Sequence, residues 1–223
     1  MDILIVCQDK IPSAIQGVYD PLWAYSSSLG VNKLVFSKIF NVTYKMVKSC
    51  DVLILVRGYT FIDLNLVRYA KKIKKVVIYY LDDDLLGLDN KFPGEKYFAL
   101  FRTKQRIKEI ISISNAIFVV NPCLLNKIKQ YNEHIYIVRS PVFDVLNVRT
   151  NFSDKNHTII GFAGSKDHSQ FLNTIMPLVY DELEENYPGK FYWEFVGAFP
   201  EKLKRKYNCK FYKYFSDITE YRR

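Results

Sequence analysis

Short apolar runs alternate with longer amphipathic segments along this chain. The runs are rich in Val, Ile, Leu and Tyr, and most of them lack the strict alternation of a half-exposed strand. Continuous apolar runs are typical of strands that are buried on both faces of a parallel sheet. Strands are therefore predicted at residues 3–7, 52–56, 76–81, 116–121, 135–138, 158–163 and 191–196.

The segments between these runs have the spacing of amphipathic helices. In residues 98–113 the apolar positions mostly follow the helical repeat, while Arg and Lys fill the polar face. Ser165 and Asp167 resemble a helix start, and Pro188-Gly189 marks a helix end. Helices are predicted at residues 60–74, 96–114, 122–131 and 168–187. Strand, helix and strand in this order indicate a doubly wound α/β fold.

A polar stretch without periodicity divides the pattern into two parts. Residues 147–156 have the composition of a linker. Five predicted strands precede it, but only two follow it, which is fewer than a doubly wound domain usually has. We therefore expect an α/β protein with one complete Rossmann-like parallel-sheet domain at 1–146 and a partial second one at 157–223.

Composition narrows the class of protein. Of 223 residues, 49% are hydrophobic and 16% aromatic, which excludes intrinsic disorder and a disulfide-stapled mini-protein. No run is long enough to predict a transmembrane helix, and residues 1–7 predict a first strand rather than a signal peptide. The four scattered cysteines form no CxxC motif, which suits a reducing cytosol and argues against a zinc site.

Charged residues follow two neighbouring predicted strands at their carboxyl ends. Asp82, Asp83 and Asp84 follow the strand at 76–81, and Arg57-Gly58 follows the strand at 52–56. Ligands of open α/β sheets bind at this edge, so the aspartates are candidates for catalysis and for binding sugar hydroxyls or a cation. Alternatively, they cap the next segment or bind loop amides. Arg57 either faces the same cleft or forms an ion pair with them.

A small-residue loop joins the strand at 158–163 to the next helix. It reads Gly161-Phe162-Ala163-Gly164-Ser165-Lys166-Asp167-His168. Small residues allow a close backbone approach, a helix amino terminus favours phosphate, and Lys166 adds a positive charge. His168 is able to donate to a phosphate or a sugar hydroxyl. The alternative is a tight strand-to-helix turn that needs glycine for its geometry alone.

The net charge of +9 is concentrated in part in two basic runs. These are residues 71–75 and 202–213, and aromatic residues interleave with the second run. Such runs bind nucleic acid or an anionic membrane surface in some proteins. In most proteins they form a solvated helix face, here followed by an amphipathic strand.

Several segments together resemble group 1 (family 4-like) glycosyltransferases of the GT-B fold. Arg57-Gly58 followed by an amphipathic helix belongs to this resemblance, which spans roughly residues 54–197. The other segments that carry it are VIYYLDDDLL at 77–86, SNAIFVVNP at 114–122, IVRSPV at 137–142, IIGFAGSKDH at 159–168 and EFVG at 194–197.

The resemblance implies a glycosyltransferase, or the amino-terminal portion of one, with two Rossmann-like domains facing across a cleft. The second domain would hold a nucleotide-sugar donor, with Gly164, Ser165 and Lys166 near its diphosphate, and His168 matches a histidine of the family. The first domain would hold a glycan or lipid-linked acceptor. The resemblance implies no bound metal and no cofactor other than the nucleotide sugar as substrate. Asp82, Asp83, Asp84 and His168 are the catalytic candidates.

The sequence departs from the family near its end. The family's second domain continues into an E-x7-E motif, whereas this sequence ends at Arg223 before such a motif. We therefore expect a truncated donor domain with an exposed sheet edge, and with it a homo-oligomer or a complementing partner. The alternatives are an inactive binding module of the same fold, and a basic α/β protein that binds nucleic acid or a membrane. The expected location is the cytoplasm, with peripheral contact to the inner membrane face through the basic runs, and nucleic acid is not an expected partner.

Overall fold

The computed structural model is an α/β structure that describes residues 1–88, 96–139, 158–164 and 168–213. The chain divides into two units, Met1–Phe143 and Asp144–Arg223. The predicted linker at 147–156 lies outside the described residues, so the domain limits drawn from the sequence stay a prediction. The predicted class, α/β with parallel sheets in both parts, is confirmed.

The described residues of the first unit form a six-stranded sheet in the order β2-β1-β3-β4-β5-β6, and every pair is parallel. The strands are β1 (Asp2–Cys7), β2 (Lys33–Lys38), β3 (Val52–Val56), β4 (Val76–Leu81), β5 (Ala116–Val119) and β6 (Ile135–Ile137). The helices are α1 (Pro12–Ala14), α2 (Asp20–Ala24), α3 (Tyr44–Ser49), α4 (Phe61–Lys72), α5 (Lys96–Ala99), α6 (Phe101–Ile113) and α7 (Pro122–Ile128).

The central strands of this sheet are buried on both faces, as their continuous apolar runs predict. Leu53 and Leu55 of β3 pack on one face in a cluster that includes residues of α4 and α6. Ile54 and Val56 face the opposite cluster, which contains Val18 from the helical segment after β1. Alternate side chains of one strand thus enter two cores, which requires apolar residues at successive positions.

The second unit is smaller and is built around aromatic side chains. Its elements are β7 (Thr158–Gly164), α8 (Ser169–Asn186), β8 (Phe191–Gly197) and β9 (Cys209–Tyr212), with parallel strands in the order β7-β8-β9. Trp193 and Phe195 are fully buried and stack with ring centroids 6.4 Å apart. Phe211 stacks on Phe195 at 5.6 Å, and Tyr180 of α8 lies 5.7 Å from Trp193. These contacts anchor α8 on the sheet.

One buried amide ties α8 to the strands. Asn208 is buried, and its side-chain oxygen accepts a hydrogen bond from the Tyr180 hydroxyl at 2.8 Å. Its Nδ2 donates to Glu184 Oε1 at 2.8 Å and to the Phe191 carbonyl at 3.0 Å. Since buried polar groups need partners, this residue satisfies three groups at once.

The structure corrects several boundaries predicted from the sequence. The first unit has six described strands rather than five, because β2 was missed: lysines flank it and its side chains are only partly buried. The segment 8–19, where no helix or strand is predicted, becomes helical at Pro12 and continues through a π-helical stretch at Ile15–Tyr19. The single helix predicted at 96–114 is interrupted at Leu100, whose backbone is extended. The last helix begins at Ser169, one residue after the predicted start.

The Asn208 cluster gives the first testable prediction. Asn208→Ala leaves the Tyr180 hydroxyl and the Phe191 carbonyl without partners, so the free energy of unfolding of the second unit should fall by about 2 kcal/mol. The buried Trp193 reports on this unit, and the measurement is its fluorescence in urea in a Trp23→Phe background. Asn186→Ala is the matched control, because Asn186 is an exposed asparagine that bonds only within α8. Equal urea midpoints for both variants would contradict the assignment.

Candidate functional site

The first candidate region lies at the carboxyl edge of the large sheet. Gln8 follows β1, Arg57 follows β3 and Asp82 follows β4, and these strands are neighbours in the parallel order β1-β3-β4. Because parallel strands end at a common edge, polar residues that are far apart in sequence meet there. The structure brings together Arg57, Asp82 and Asp83, whereas Asp84 pairs with Lys127.

Arg57 is the centre of this group. Its backbone is left-handed, with φ of 52°, which is uncommon for a residue other than glycine. Its Nε lies 3.5 Å from Asp82 Oδ1, its Nη2 donates to Asp83 Oδ2, and its Nη1 donates to Ser13 Oγ at 3.3 Å. Of the two interpretations of Arg57, the ion pair with the aspartates matches these contacts. The Asp82 side chain is 19% exposed and the Asp83 side chain 57%, so Asp83 is the more accessible carboxylate.

Asp84 has a different environment from its two neighbours. Its Oδ1 accepts the Gly87 N–H at 3.0 Å, and its Oδ2 pairs with Lys127. A Cβ at position 87 would collide with this carboxylate, so a larger residue there would have to displace it. The interpretation as a residue that binds loop amides therefore fits Asp84.

Asp63 is a buried carboxylate that the sequence reasoning missed. Its Oδ2 accepts hydrogen bonds from Gln8 Nε2 at 2.6 Å and from the backbone N–H of Tyr59 at 2.9 Å. The N–H and the hydroxyl of Thr60 also donate to it, both at 2.7 Å. Its Oδ1 is buried and has no hydrogen-bond partner among the described residues. The sequence feature that could have revealed Asp63 is the Thr-x-x-Asp spacing of a capping box at the start of α4.

This hydrogen-bonded carboxylate fixes the loop that carries Arg57. Asp63 joins the end of β1, through Gln8, to the loop at 57–60 and to the first turn of α4. Gly58 lies in the same loop, and a Cβ there would be 2.5 Å from Leu55 Cδ2. Close packing therefore explains this glycine, and its carbonyl accepts the buried Tyr79 hydroxyl at 2.8 Å.

Two neutral groups lie beneath this edge. Burial raises the pKa of the Tyr79 hydroxyl far above its usual value, and burial also raises the pKa of the Cys7 thiol. Both groups therefore stay protonated at neutral pH. Because only the thiolate is a good nucleophile, Cys7 is not a candidate nucleophile.

The second candidate region lies at the carboxyl ends of β7 and β8. Gly164 ends β7, and a Cβ there would be 2.9 Å from the Phe162 ring and 3.1 Å from His168 Cδ2. Gly197 lies opposite Gly164 in the sheet register and has a φ of 82°, which favours glycine. The Ala198 N–H donates to the Gly164 carbonyl at 2.9 Å and joins the two turns. We call Gly164, Gly197 and Ala198 the glycine turn.

His168 stands between this glycine turn and α8. It immediately precedes Ser169, and its side chain makes no capping hydrogen bond to the helix. Its ring meets Phe162 edge to face, with centroids 5.9 Å apart. The first N–H groups of α8 therefore lack a side-chain cap from His168, and such groups bind anions. Ser165 and Lys166 lie outside the described residues.

Three of the six described basic residues of 202–213 make contacts within their own unit. Lys204 lies 3.6 Å from Glu201 and over the Phe199 ring, Lys206 lies over the Tyr180 ring, and Lys210 lies 4.0 Å from Glu194. Three of these lysines thus have intramolecular partners. This favours the interpretation of the run as a structural and solvated surface.

Neither a metal site nor a membrane span is found in the part of the chain that the structure describes. Its His, Cys, Asp and Glu side chains form no group of three with the arrangement of a metal site. None of its helices has the length and hydropathy needed to cross a bilayer. Peripheral membrane contact stays a prediction.

Asp63 gives a prediction about the loop at 57–60. Asp63→Ala removes the shared acceptor, so the amides of Tyr59 and Thr60 should exchange their hydrogens roughly 100-fold faster. Asp63→Asn should keep slow exchange, because its carbonyl oxygen replaces Oδ2 and its amide group takes the position of the unpaired Oδ1. Hydrogen exchange followed by mass spectrometry checks this, with the exposed Asp9→Asn as control. If Asn accelerated exchange as much as Ala, the negative charge rather than the hydrogen bonds would hold the loop.

Comparisons with known proteins support the fold. No protein-family model matches this sequence. No curated protein matches it either. A UDP-GlcNAc 2-epimerase from Methanocaldococcus jannaschii superposes with a TM-score of 0.59 at 14% identity, over 98% of this chain and 74% of that chain. An MnaA–UDP co-structure from S. aureus superposes with a TM-score of 0.59 at 12% identity, over 100% and 71% of the two chains.

A third solved structure is an alpha-glucosyltransferase in complex with UDP and a 13-mer DNA containing a HMU base. Its TM-score is 0.53 at 14% identity, over 89% of this chain and 57% of that chain. Identities this low establish the fold and not the activity. The chain therefore has the α/β, GT-B-like fold with Rossmann-type parallel sheets, while membership of the family 4-like enzymes stays a prediction.

Proposed function

We propose that this protein binds a nucleotide sugar through its second unit and transfers the sugar to an acceptor hydroxyl bound by its first unit. The observation that carries the proposal is the glycine turn, which lies beside the amino terminus of α8, where His168 makes no capping hydrogen bond. Two of the three similar structures are complexes with UDP, and the third is a UDP-GlcNAc 2-epimerase. The proposed activity needs no further cofactor and no metal.

The donor diphosphate would lie against the glycine turn. Phe162 and His168 leave no room for a side chain at Gly164, so any larger residue there would displace these two rings. The N–H groups at the start of α8 and the helix dipole would stabilise the negative charge of the diphosphate. Ser165 and Lys166 are proposed as additional donors, and His168 as a donor to a phosphate or a sugar hydroxyl. These donors act on the leaving diphosphate, where negative charge develops during transfer.

The acceptor would lie at the carboxyl edge of the first unit. Asp83 is the most accessible of the three aspartates, and Arg57 holds one of its oxygens in place. A carboxylate positioned in this way accepts hydrogen bonds from sugar hydroxyls and takes the proton from the attacking hydroxyl. The acceptor oxygen bonds to the anomeric carbon, the bond to the diphosphate breaks, and the proton moves to the carboxylate. Asp84 is less suited, since the Gly87 N–H binds one of its oxygens and Lys127 of α7 binds the other.

A second candidate function is epimerisation of a nucleotide sugar without transfer. It is favoured by the match to the UDP-GlcNAc 2-epimerase, which extends over 98% of this chain. The two activities differ in their need for an acceptor. Incubation with UDP-GlcNAc alone, followed by proton NMR of the sugar, would produce the 2-epimer in one case and unchanged substrate in the other.

Donor binding is tested by thermal denaturation with UDP-, GDP-, ADP- and dTDP-sugars. One class of donor should stabilise the protein in a saturable way, by about 2.7 kcal/mol at 100 times the dissociation constant. Gly164→Ala should weaken this binding at least roughly tenfold, about 1.4 kcal/mol, because its Cβ forces the Phe162 and His168 rings to move. Gly161→Ala is the matched control on the same strand, where a Cβ meets only one backbone oxygen at 3.9 Å.

Two results would contradict the proposed donor site. One is a cooperative melt that no donor shifts, which would leave an inactive binding module of this fold. The other is a donor that binds Gly164→Ala and the original protein with equal affinity, which would place its diphosphate elsewhere.

A further inference from the structure

The loops at the carboxyl edge of the first sheet hold more carboxylates than cations. Four carboxylates and the two cations that pair with them form this group, which we call the acidic edge: Asp63, Asp82, Asp83, Asp84, Arg57 and Lys127. The buried Asp63 accepts its hydrogen bonds from neutral donors and forms no ion pair with a described residue. Because the whole chain has a net charge of +9, the acidic edge does not follow from the overall composition.

The guanidinium of Arg57 is already occupied by groups of this protein. An arginine at a ligand site binds phosphate well through two parallel N–H groups. Here Nη2 donates to Asp83, Nη1 donates to Ser13 Oγ at 3.3 Å, and Nε lies 3.5 Å from Asp82 Oδ1. A phosphate would have to displace two carboxylates from the guanidinium and then lie beside them, where like charges repel each other.

Arg57 also holds two consecutive aspartates at one point. Successive side chains of an extended strand point to opposite faces of the sheet. The strand β4 ends at Leu81, and beyond it the side chains of Asp82 and Asp83 both reach the same guanidinium. Two adjacent carboxylates match two neighbouring hydroxyl groups of one ligand, which is the pattern that a sugar ring presents.

The polar groups that this edge has left for a ligand are hydrogen-bond acceptors. Asp82 accepts no hydrogen bond from the described residues, and its Oδ1 is buried beside Arg57, which leaves Oδ2 to a ligand. Gln8 directs its Nε2 toward Asp63, so Oε1 is the remaining part of its amide. An acceptor without a donor costs free energy when it is shielded from water, and a ligand hydroxyl supplies that donor. A phosphate dianion has no proton to donate.

We propose that the acceptor is a neutral sugar, and that Asp82 selects it against acceptors that carry a phosphate near the reacting hydroxyl. This inference rests on the proposed transfer reaction and names the class of its acceptor. A neutral sugar donates to the free acceptors of the acidic edge without adding negative charge, whereas a phosphate meets repulsion and finds no donor. Of the two acceptor classes expected from the sequence, a glycan therefore fits this edge and a lipid phosphate does not.

The two aspartates have separate roles in this arrangement. Asp83 is the more exposed of the two, and it takes the proton of the hydroxyl that attacks the anomeric carbon. Asp82 forms no covalent bond and gains no proton. It accepts a hydrogen bond from the neighbouring hydroxyl and so orients the sugar ring for attack. Asp82 is therefore the residue that determines specificity for the acceptor.

The test measures acceptor binding in the absence of any donor. The probes are the methyl glycosides of glucose, galactose, mannose and N-acetylglucosamine, each compared with its own 6-phosphate. In NMR spectra of the ¹⁵N-labelled protein, Arg57 Nε and the amides of Asp82 and Asp83 should shift in a saturable way with at least one glycoside. The matching 6-phosphate should bind at least roughly tenfold more weakly. Adding about 0.5 M salt should narrow this difference, because salt screens the repulsion.

A variant tests the role of Asp82 directly. Asp82→Asn keeps the shape of the side chain but removes its charge, so the glycoside should bind roughly tenfold more weakly and the preference over the 6-phosphate should shrink. Asp9→Asn is the matched control, because it makes the same change of charge at an exposed carboxylate that pairs with Lys38. The control should bind the glycoside as the original protein does. The amide spectra of both variants show whether the fold is retained.

Three results would overturn this assignment of the acceptor. They are equal or tighter binding of the 6-phosphates, with or without Mg²⁺, the absence of saturable shifts with every neutral glycoside, and equal losses of affinity in Asp82→Asn and Asp9→Asn. Because no donor is present, these results do not depend on the glycine turn. Failure of the proposed transfer reaction is recognised separately, as a thermal melt that no nucleotide sugar shifts.

Discussion

Parallel strand pairing is the constraint on which the rest of this structure depends. It places the ends of β1, β3 and β4 at one edge of the first sheet and the ends of β7 and β8 at one edge of the second. Polar residues from distant parts of the sequence therefore meet at these edges, while the strands themselves remain apolar. The glycine turn and the group around Arg57 are two consequences of the same geometry.

The two edges are organised by different means. In the first unit a buried carboxylate, Asp63, accepts four hydrogen bonds and holds the loop from which Arg57 reaches two aspartates. In the second unit close packing fixes the edge, because Gly164 is confined between Phe162 and His168. The first edge therefore presents oriented charges, and the second presents a glycine turn at the start of a helix. That difference suits hydroxyl recognition on one unit and phosphate recognition on the other.

The central strands could be predicted from the sequence, but the contacts between residues that are far apart in the chain could not. β3 and β4 match their predicted limits because their apolar runs are buried on both faces. β2 escaped prediction because its apolar run is only three residues long and lies between lysines. The role of Asp63 depends on Gln8, which is 55 residues away, so its capping-box spacing showed only the local half of its function.

The central claim is that the glycine turn and the start of α8 bind a nucleotide diphosphate. The most direct measurement is a titration of the ¹⁵N-labelled protein with UDP, and with GDP in parallel, followed by amide NMR spectra. The account predicts saturable shifts at Gly164, Gly197, Ala198 and the first residues of α8, with the amides of β9 unchanged. Spectra without saturable shifts, or shifts confined to residues far from the glycine turn, would contradict it.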